Sequence, residues 1–69
     1  MSSGKQQEAL PFFERAIAAD PTSTMALNGL GLTRLSMGDQ AGARTALRQS
    51  LRIDPSQKDI AQALAGIAR

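Results

Sequence analysis

Apolar residues recur every three or four positions along most of this chain, which is the spacing of one face of an α-helix. In the first segment they are Ala9, Leu10, Phe13, Ala16 and Ile17. The pattern predicts four α-helices and no strand, joined by loops of a few residues that favour antiparallel neighbours. The predicted helices span residues 6–19, 24–37, 40–53 and 57–68.

Two Asp-Pro dipeptides divide these segments. Proline lacks a backbone N–H and disfavours helical geometry at the preceding residue, so Asp20-Pro21 and Asp54-Pro55 are predicted helix exits. Helices that follow such exits need a cap, and the candidates are Thr22, Ser23 or Thr24 for one helix and Ser56 for the other. Asp39 has the character of a helix-start residue.

Pro11 conflicts with the first predicted helix because proline is disfavoured in a helix interior. That helix is expected either to begin late or to bend at this residue. A second irregularity is the pair Gly29 and Gly31 in the second helix. Each glycine costs about 1 kcal/mol relative to alanine, so the pair favours a close helix–helix approach over the alternative of a weak, fraying helix.

The chain is internally repeated at an offset of 34 residues. Similar pairs such as Phe13/Leu47 and Ala16/Ser50 keep size and polarity in register. Unrelated sequence would give only roughly two or three identities over this overlap. The identical pairs include Gly4/Gly38, Gln6/Gln40, Ala9/Ala43, Asp20/Asp54, Pro21/Pro55 and Leu30/Leu64.

This 34-residue helix–turn–helix period resembles the tetratricopeptide repeat family, in which each repeat consists of a first helix and a second helix. Leu27 and Leu30-Gly31 are similar to the signature of the first helix. The residues that resemble the family's second helix and its closing turn are Gly38-Asp39, Ala43, Leu47, Ser50, Leu51 and Asp54-Pro55.

The resemblance implies an all-α fold in which antiparallel helix–turn–helix repeats stack as a short right-handed α-solenoid of about four helices. The whole chain, residues 1–69, is then one small domain. It comprises a half repeat over 4–23, a full repeat over 24–57 and a terminal capping helix over 58–69.

Some positions depart from the family pattern. Arg34 stands where an aromatic residue is common, Ser50 where alanine is usual, and Leu27 where tryptophan is frequent, so looser packing is expected. A first helix ahead of the half repeat is also missing, which leaves the stripe containing Leu10 and Phe13 one neighbour short. Either the chain is a piece of a longer array, or a second copy covers this face.

Composition narrows the function. The 69 residues include no Cys and no His, which removes thiol chemistry, the usual general base and the usual zinc ligand. Neither a catalytic carboxylate pair nor a phosphate-binding loop is present in the pattern, so we expect a non-enzyme without cofactor or metal. No apolar run approaches the 18 residues of a membrane span, and the first residues are not a secretory signal, which leaves the cytoplasm as the default location.

In the family, first helices line a concave surface that holds a partner peptide. The resemblance therefore implies a protein-interaction module, and a neutral site argues against clamping of a C-terminal carboxylate by paired basic residues. An alternative is that Met25 and Leu32 merely contact a neighbouring helix or a second chain. The implied partner-binding residues are Met25, Asn28, Leu32, Leu35 and Ser36, followed by Asp59 and Gln62, with Gly66 permitting close approach.

Other surfaces lead to other expectations. Arg44, Arg48 and Arg52 form a basic ridge at four-residue spacing. Because the net charge is only +2 and base-stacking aromatics are few, a solvated face is favoured over nucleic-acid binding. Phe13 is the predicted core aromatic. Leu10 and Phe12 are the predicted self-association residues, which makes homo-oligomerisation the alternative function.

Overall fold

In a computed structural model, the backbone is described for residues 3–67 and the side chains for residues 8–67. Within this part of the chain all regular structure is helical, which confirms the predicted all-α fold of four helices. The helices are α1 (Ser3–Ala19), α2 (Thr24–Ser36), α3 (Gln40–Ile53) and α4 (Lys58–Ile67).

Helix boundaries agree closely with the sequence pattern in the middle of the chain. The bounds of α3 are those predicted, and α2 ends one residue early at Ser36. Helix α4 begins at Lys58, one residue later than expected, and its predicted end at residue 68 lies outside the described residues.

Pro11 does not delay the first helix. Helix α1 begins at Ser3, three residues before the predicted start, and continues through Pro11, so the expectation of a late start is wrong. Proline removes one hydrogen bond of the helical ladder, and the turns on either side retain theirs. Pro11 is also exposed, so its ring lies away from the contact with the neighbouring helix.

Side-chain caps define two of the helix starts. Ser23 Oγ accepts a hydrogen bond from the Ala26 N–H at 3.2 Å, which confirms Ser23 as the cap of α2 among the three candidates. Asp39 caps α3 by accepting from the Gly42 N–H at 3.0 Å. The predicted cap Ser56 is wrong, because its hydroxyl instead donates to Asp54 Oδ1 at 2.6 Å and α4 begins two residues later.

Helix α2 packs against α1 on one side and α3 on the other, and α3 also packs against α4. The centre of the fold is a cluster of buried apolar residues from α3 and α4, with half-buried neighbours around it. The cluster consists of Ala43, Leu47, Ile60 and Ile67, and its neighbours are Leu35, Leu51, Ala63 and Leu64.

The two glycines of α2 allow these close approaches. Gly29 lies against the ring of Phe13 in α1. A Cβ atom at Gly31 would come within 2.7 Å of the Leu47 side chain in α3 and within 3.3 Å of the Ala43 carbonyl oxygen. The predicted close helix approach is therefore confirmed, and each glycine serves a different neighbour.

Candidate functional site

Helix α2 carries an exposed apolar row formed by Met25 and Leu32. Their exposed fractions are 81% and 44%. The two residues lie seven positions apart, which brings them to the same side of the helix about 10 Å apart along its axis. The cap at Ser23 sets the start of α2 immediately before Met25. Both residues lie on a helix that packs on either side, so the row is held in a defined position.

The two other predicted binding residues of this helix lie at its end. Leu35 is half-buried and packs against the cluster between α3 and α4. Ser36, the last residue of α2, is exposed. The most exposed apolar surface of α2 is therefore confined to Met25 and Leu32.

Asn28 lies between these two residues in sequence, and its amide is engaged inside the protein. Asn28 Nδ2 donates a hydrogen bond to Gln57 Oε1 at 2.7 Å. Gln57 Nε2 in turn donates to the Ser50 carbonyl oxygen at 3.1 Å, to Ser50 Oγ at 3.0 Å and to the Asp54 carbonyl oxygen at 2.9 Å. This contact joins the middle of α2 to the residue immediately before α4.

The orientation of these amides follows from their partners. A backbone carbonyl can only accept, so the end of Gln57 that faces Ser50 and Asp54 must be its NH₂ group. Gln57 therefore presents its oxygen to Asn28, and Asn28 must donate. Asn28 Oδ1 is then left buried without a hydrogen-bond partner among the described residues. The Asn28 side chain is thus engaged within the fold through its NH₂ group.

The predicted binding residues of α4 are at the surface. Asp59 and Gln62 are both exposed, as is Gly66, where a Cβ atom would meet nothing within 4 Å. Asp59 Oδ1 accepts a hydrogen bond from the Ile60 N–H at 2.9 Å. At 34-residue spacing, Asp59 corresponds to Met25 and Gln62 to Asn28, so α4 continues the row of α2 with polar groups.

The family departures are accommodated in specific ways. Leu27 and Ser50 have exposed fractions of 2% and 0%, so both replaced positions lie within the packed interior. Arg34 NH2 lies 3.5 Å from Glu14 Oε2 of α1, and its Nε lies 4.0 Å from Asp39 Oδ2. Arg34 thus connects α1 to the start of α3.

The two predicted self-association residues lie on α1. Phe12 is 70% exposed, and Leu10 is half-buried. The Phe12 ring meets the Phe13 ring edge to face, with centroids 5.7 Å apart. Phe13 is half-buried against Gly29, whereas Phe12 offers its ring to solvent.

The arginine ridge and a neighbouring cavity lie on α3. Arg48 and Arg52 are exposed, and Arg44 is half-buried. An open, mainly apolar cavity of about 320 Å³ separates the C-terminal ends of α1 and α3, with Arg52 at its edge. It is lined by Ile17, Pro21, Gln49, Arg52 and Ile53.

The aspartates of the two Asp-Pro turns have pKa values below the usual value of this residue type. Hydrogen bonds from the Thr22 hydroxyl and N–H lower the pKa of Asp20. The Ser56 hydroxyl and N–H lower the pKa of Asp54 in the same way. Both carboxylates are exposed, so they serve the turns and do not form a reactive site.

Two other kinds of site, a membrane-spanning helix and a metal-binding group, are not found in the part of the chain that the structure describes. Between residues 3 and 67, no helix has both the length and the apolar character required to cross a bilayer. Within the same part of the chain, no three His, Cys, Asp or Glu side chains gather into a group that could hold a metal ion.

These features define a helical-repeat protein: antiparallel helices at a 34-residue period, close packing through glycine and closing Asp-Pro turns. Residues 1–67 match the tetratricopeptide repeat family, and the chain belongs to that family. The family generally provides non-enzymatic protein–protein interaction modules. No curated protein and no solved structure matches the chain.

Proposed function

We propose that this protein binds a partner peptide or helix on the face formed by α2 and α4. The observation that carries the proposal is the exposed pair Met25 and Leu32 on a helix packed on both sides. Methionine adapts its shape to an apolar partner, and leucine adds a fixed apolar contact two turns away. The partner is expected to carry apolar side chains at the matching spacing.

The polar residues of α4 then limit the partner. Asp59 and Gln62 are expected to contact polar or basic groups of the same peptide, because they occupy the places of Met25 and Asn28 in the next repeat. Leu35 and Ser36 would border the contact at the end of α2. Asn28 would support the surface from beneath through its hydrogen bond to Gln57.

A displayed library of random peptides, selected on the purified chain, tests this function. Enriched peptides are then titrated by calorimetry into the wild-type chain and two double variants. Met25→Gln/Leu32→Gln removes the proposed row, and about tenfold to hundredfold weaker binding is expected from the lost apolar burial.

Met37→Gln/Ile53→Gln is the matched control, because these residues are 40% and 44% exposed and lie outside the proposed row. Its peptide affinity should equal that of the wild type. Equal losses in both double variants, or selection of no peptide at all, would contradict the proposed surface.

Self-association is a second candidate function, favoured by the exposure of Phe12 at 70%. An exposed aromatic ring on the face of a helix offers apolar area that a second chain could bury. In this function Phe12 and Leu10 would contact another chain, and the oligomer would present several copies of the peptide-binding face.

A further inference from the structure

Helices α2 and α3 show how a first helix and a second helix pack within one complete repeat of this chain. Gly31 of α2 lies against Leu47 and the Ala43 carbonyl group of α3. Ala43, Leu47 and Ser50 are each 0% exposed as a result of contacts made on both sides of α3.

Helix α1 is a second helix whose corresponding side is open. At 34-residue spacing, Phe12 corresponds to Ala46, which is only 3% exposed, whereas Phe12 is 70% exposed. Phe13 corresponds to the fully buried Leu47 and is only half-buried. The difference marks the side on which α3 is covered and α1 is not.

Helix α4 corresponds to a first helix, and it lacks a neighbour on the side where a first helix packs against its second helix. Ala61 and Ala65 are exposed, although they correspond to Leu27 and Gly31, which are buried in α2. Leu64 is half-buried and corresponds to Leu30, which is 7% exposed. The open side of α4 is thus the side by which α2 packs on α3.

The two open sides also differ in side-chain size in a complementary way. In the complete repeat, the positions that correspond to Ala61 and Phe12 hold the large Leu27 in α2 and the small Ala46 in α3, and both are buried. On the open sides the sizes are exchanged, because α4 supplies the small Ala61 and α1 supplies the large Phe12. A close-packed contact requires such matching of large with small residues.

We propose that copies of this chain associate head to tail, with α4 of one copy packing on the open side of α1 of the next. This inference rests on the second candidate function, self-association, and names the two surfaces that pair. The contact follows the register of α2 on α3. Ala65 is one methyl group larger than Gly31, so α4 would lie slightly farther from α1 than α2 lies from α3.

A head-to-tail contact uses two different surfaces, so each added copy leaves one surface of each kind open. The assembly therefore grows with concentration rather than stopping at a dimer. A contact between two single helices is small, which places it among weak interfaces. Association should be visible by sedimentation velocity between about 10 μM and about 1 mM.

Two single variants test the pairing. Phe12→Glu charges the open side of α1, and Ala61→Glu charges the open side of α4, at positions exposed in the fold. Each variant alone should remain monomeric, because every head-to-tail contact would then include one charged surface. An equimolar mixture should form a one-to-one dimer with twice the mass of either variant, and nothing larger.

Ile53→Glu is the matched control, since Ile53 is an exposed apolar residue that lies at the cavity beside Arg52 and on neither open side. This variant should associate like the wild type, and circular dichroism should show all variants folded. The mixed dimer is the outcome that only a head-to-tail contact produces.

Other outcomes overturn the proposal in distinguishable ways. If Ala61→Glu self-associates like the wild type while Phe12→Glu does not, two α1 surfaces pair with each other, and self-association survives without the head-to-tail contact. If Phe12→Glu self-associates and Ala61→Glu does not, two α4 surfaces pair, with the same consequence. A wild-type chain that stays monomeric throughout the concentration range overturns both self-association and its head-to-tail form.

Discussion

Helices α1 and α3, each with its following turn, are two copies of one unit in different surroundings. Helix α3 packs between α2 and α4, and its residues Ala43, Leu47 and Ser50 are fully buried. The corresponding Ala9, Phe13 and Ala16 in α1 are half-buried. The same helical stripe therefore becomes a core in one copy and a partly open surface in the other, according to what packs against it.

The turns that follow α1 and α3 share one pair of hydrogen bonds and differ at the next residue. Thr22 bonds to Asp20 as Ser56 bonds to Asp54, through both the hydroxyl and the backbone N–H. The next residue separates them, because Ser23 caps α2 whereas Gln57 reaches back to Ser50 and across to Asn28. The second turn thus has a contact between helices where the first has a local cap.

The largest expected effect comes from truncating the corresponding core residues. Leu47→Ala should lower the free energy of unfolding by about 3 kcal/mol, because a fully buried leucine leaves a cavity. Phe13→Ala should cost about half as much, since its ring is only half-buried.

Urea unfolding followed by circular dichroism at a helix band is the suitable measurement, because the chain has no Trp or Tyr. Equal losses would mean that α1 is held as firmly as α3 despite its greater exposure. For a domain of this size, a loss of about 3 kcal/mol approaches its whole stability.

The contact made by Gln57 is the next most sensitive feature. Gln57→Ala should lower the free energy of unfolding by about 2 kcal/mol, because it leaves the buried groups of Asn28 and Ser50 without their partner. Ser23→Ala should cost about 1 kcal/mol, the usual value of a helix cap.

The double variant Gln57→Ser/Ser50→Ala gives this turn the residues of the first one, which has Ser23 and Ala16. It should lose less stability than the sum of the two single variants, because the substitutions act on one shared contact. Strict additivity in this cycle would show that Gln57 and Ser50 do not depend on each other.

The glycines of α2 should respond unequally to alanine. Alanine favours a helix by about 1 kcal/mol at either position, so differences report packing. Gly31→Ala should destabilise by about 1 kcal/mol overall, because its methyl group would press on Leu47 and the Ala43 carbonyl group. Gly29→Ala should cost less, since the Phe13 ring on which its methyl group would press is half-buried, whereas Leu47 is fully buried.

Thermal unfolding of the two glycine variants, measured in parallel, checks this difference. If Gly29→Ala proves the more damaging change, the contact between α1 and α2 is less adaptable than the exposure of Phe13 indicates.

The smallest effect concerns pH. The pKa values of Asp20 and Asp54 are lowered by hydrogen bonds from Thr22 and Ser56. A carboxyl group whose pKa is lower in the folded state stabilises folding above its unfolded pKa, near 3.8, and this contribution is lost as the pH falls through the folded value. Urea midpoints should therefore fall as the pH is lowered below about 5.

Asp20→Asn and Asp54→Asn should each reduce this acid sensitivity by a similar amount, because the two turns make the same pair of hydrogen bonds. Unequal changes would show that the burial of α3 extends its influence to its turn. Unchanged acid sensitivity in both variants would exclude the two aspartates as its source.

Local patterns predicted the elements that local interactions determine. The bounds of α3 follow from Asp39 at its start and Asp54-Pro55 at its end, and the closeness of α2 to its neighbours follows from Gly29 and Gly31. The length of α1 could not be predicted because the penalty of Pro11 depends on where its ring points.

The Asn28–Gln57–Ser50 contact was also missed. Asn28 and Gln57 are 29 residues apart, and glutamine at a helix start carries no capping signal of its own. The repeat alignment did contain a clue, because Ala16 and Ser23 of the first copy become Ser50 and Gln57 together in the second. The helical spacing predicted on which face of α2 Asn28 lies, but it carried no information on the hydrogen bond to Gln57.

Gly29 and Gly31 lie against different neighbouring helices, and this affects how the amide groups of α2 become accessible to solvent. Helix α2 cannot separate from one neighbour by moving toward the other, so its amide hydrogens should exchange with solvent only when the whole domain unfolds. A peptide arriving at Met25 and Leu32 would meet a surface already in its bound shape, and little of the binding free energy would be spent on ordering it.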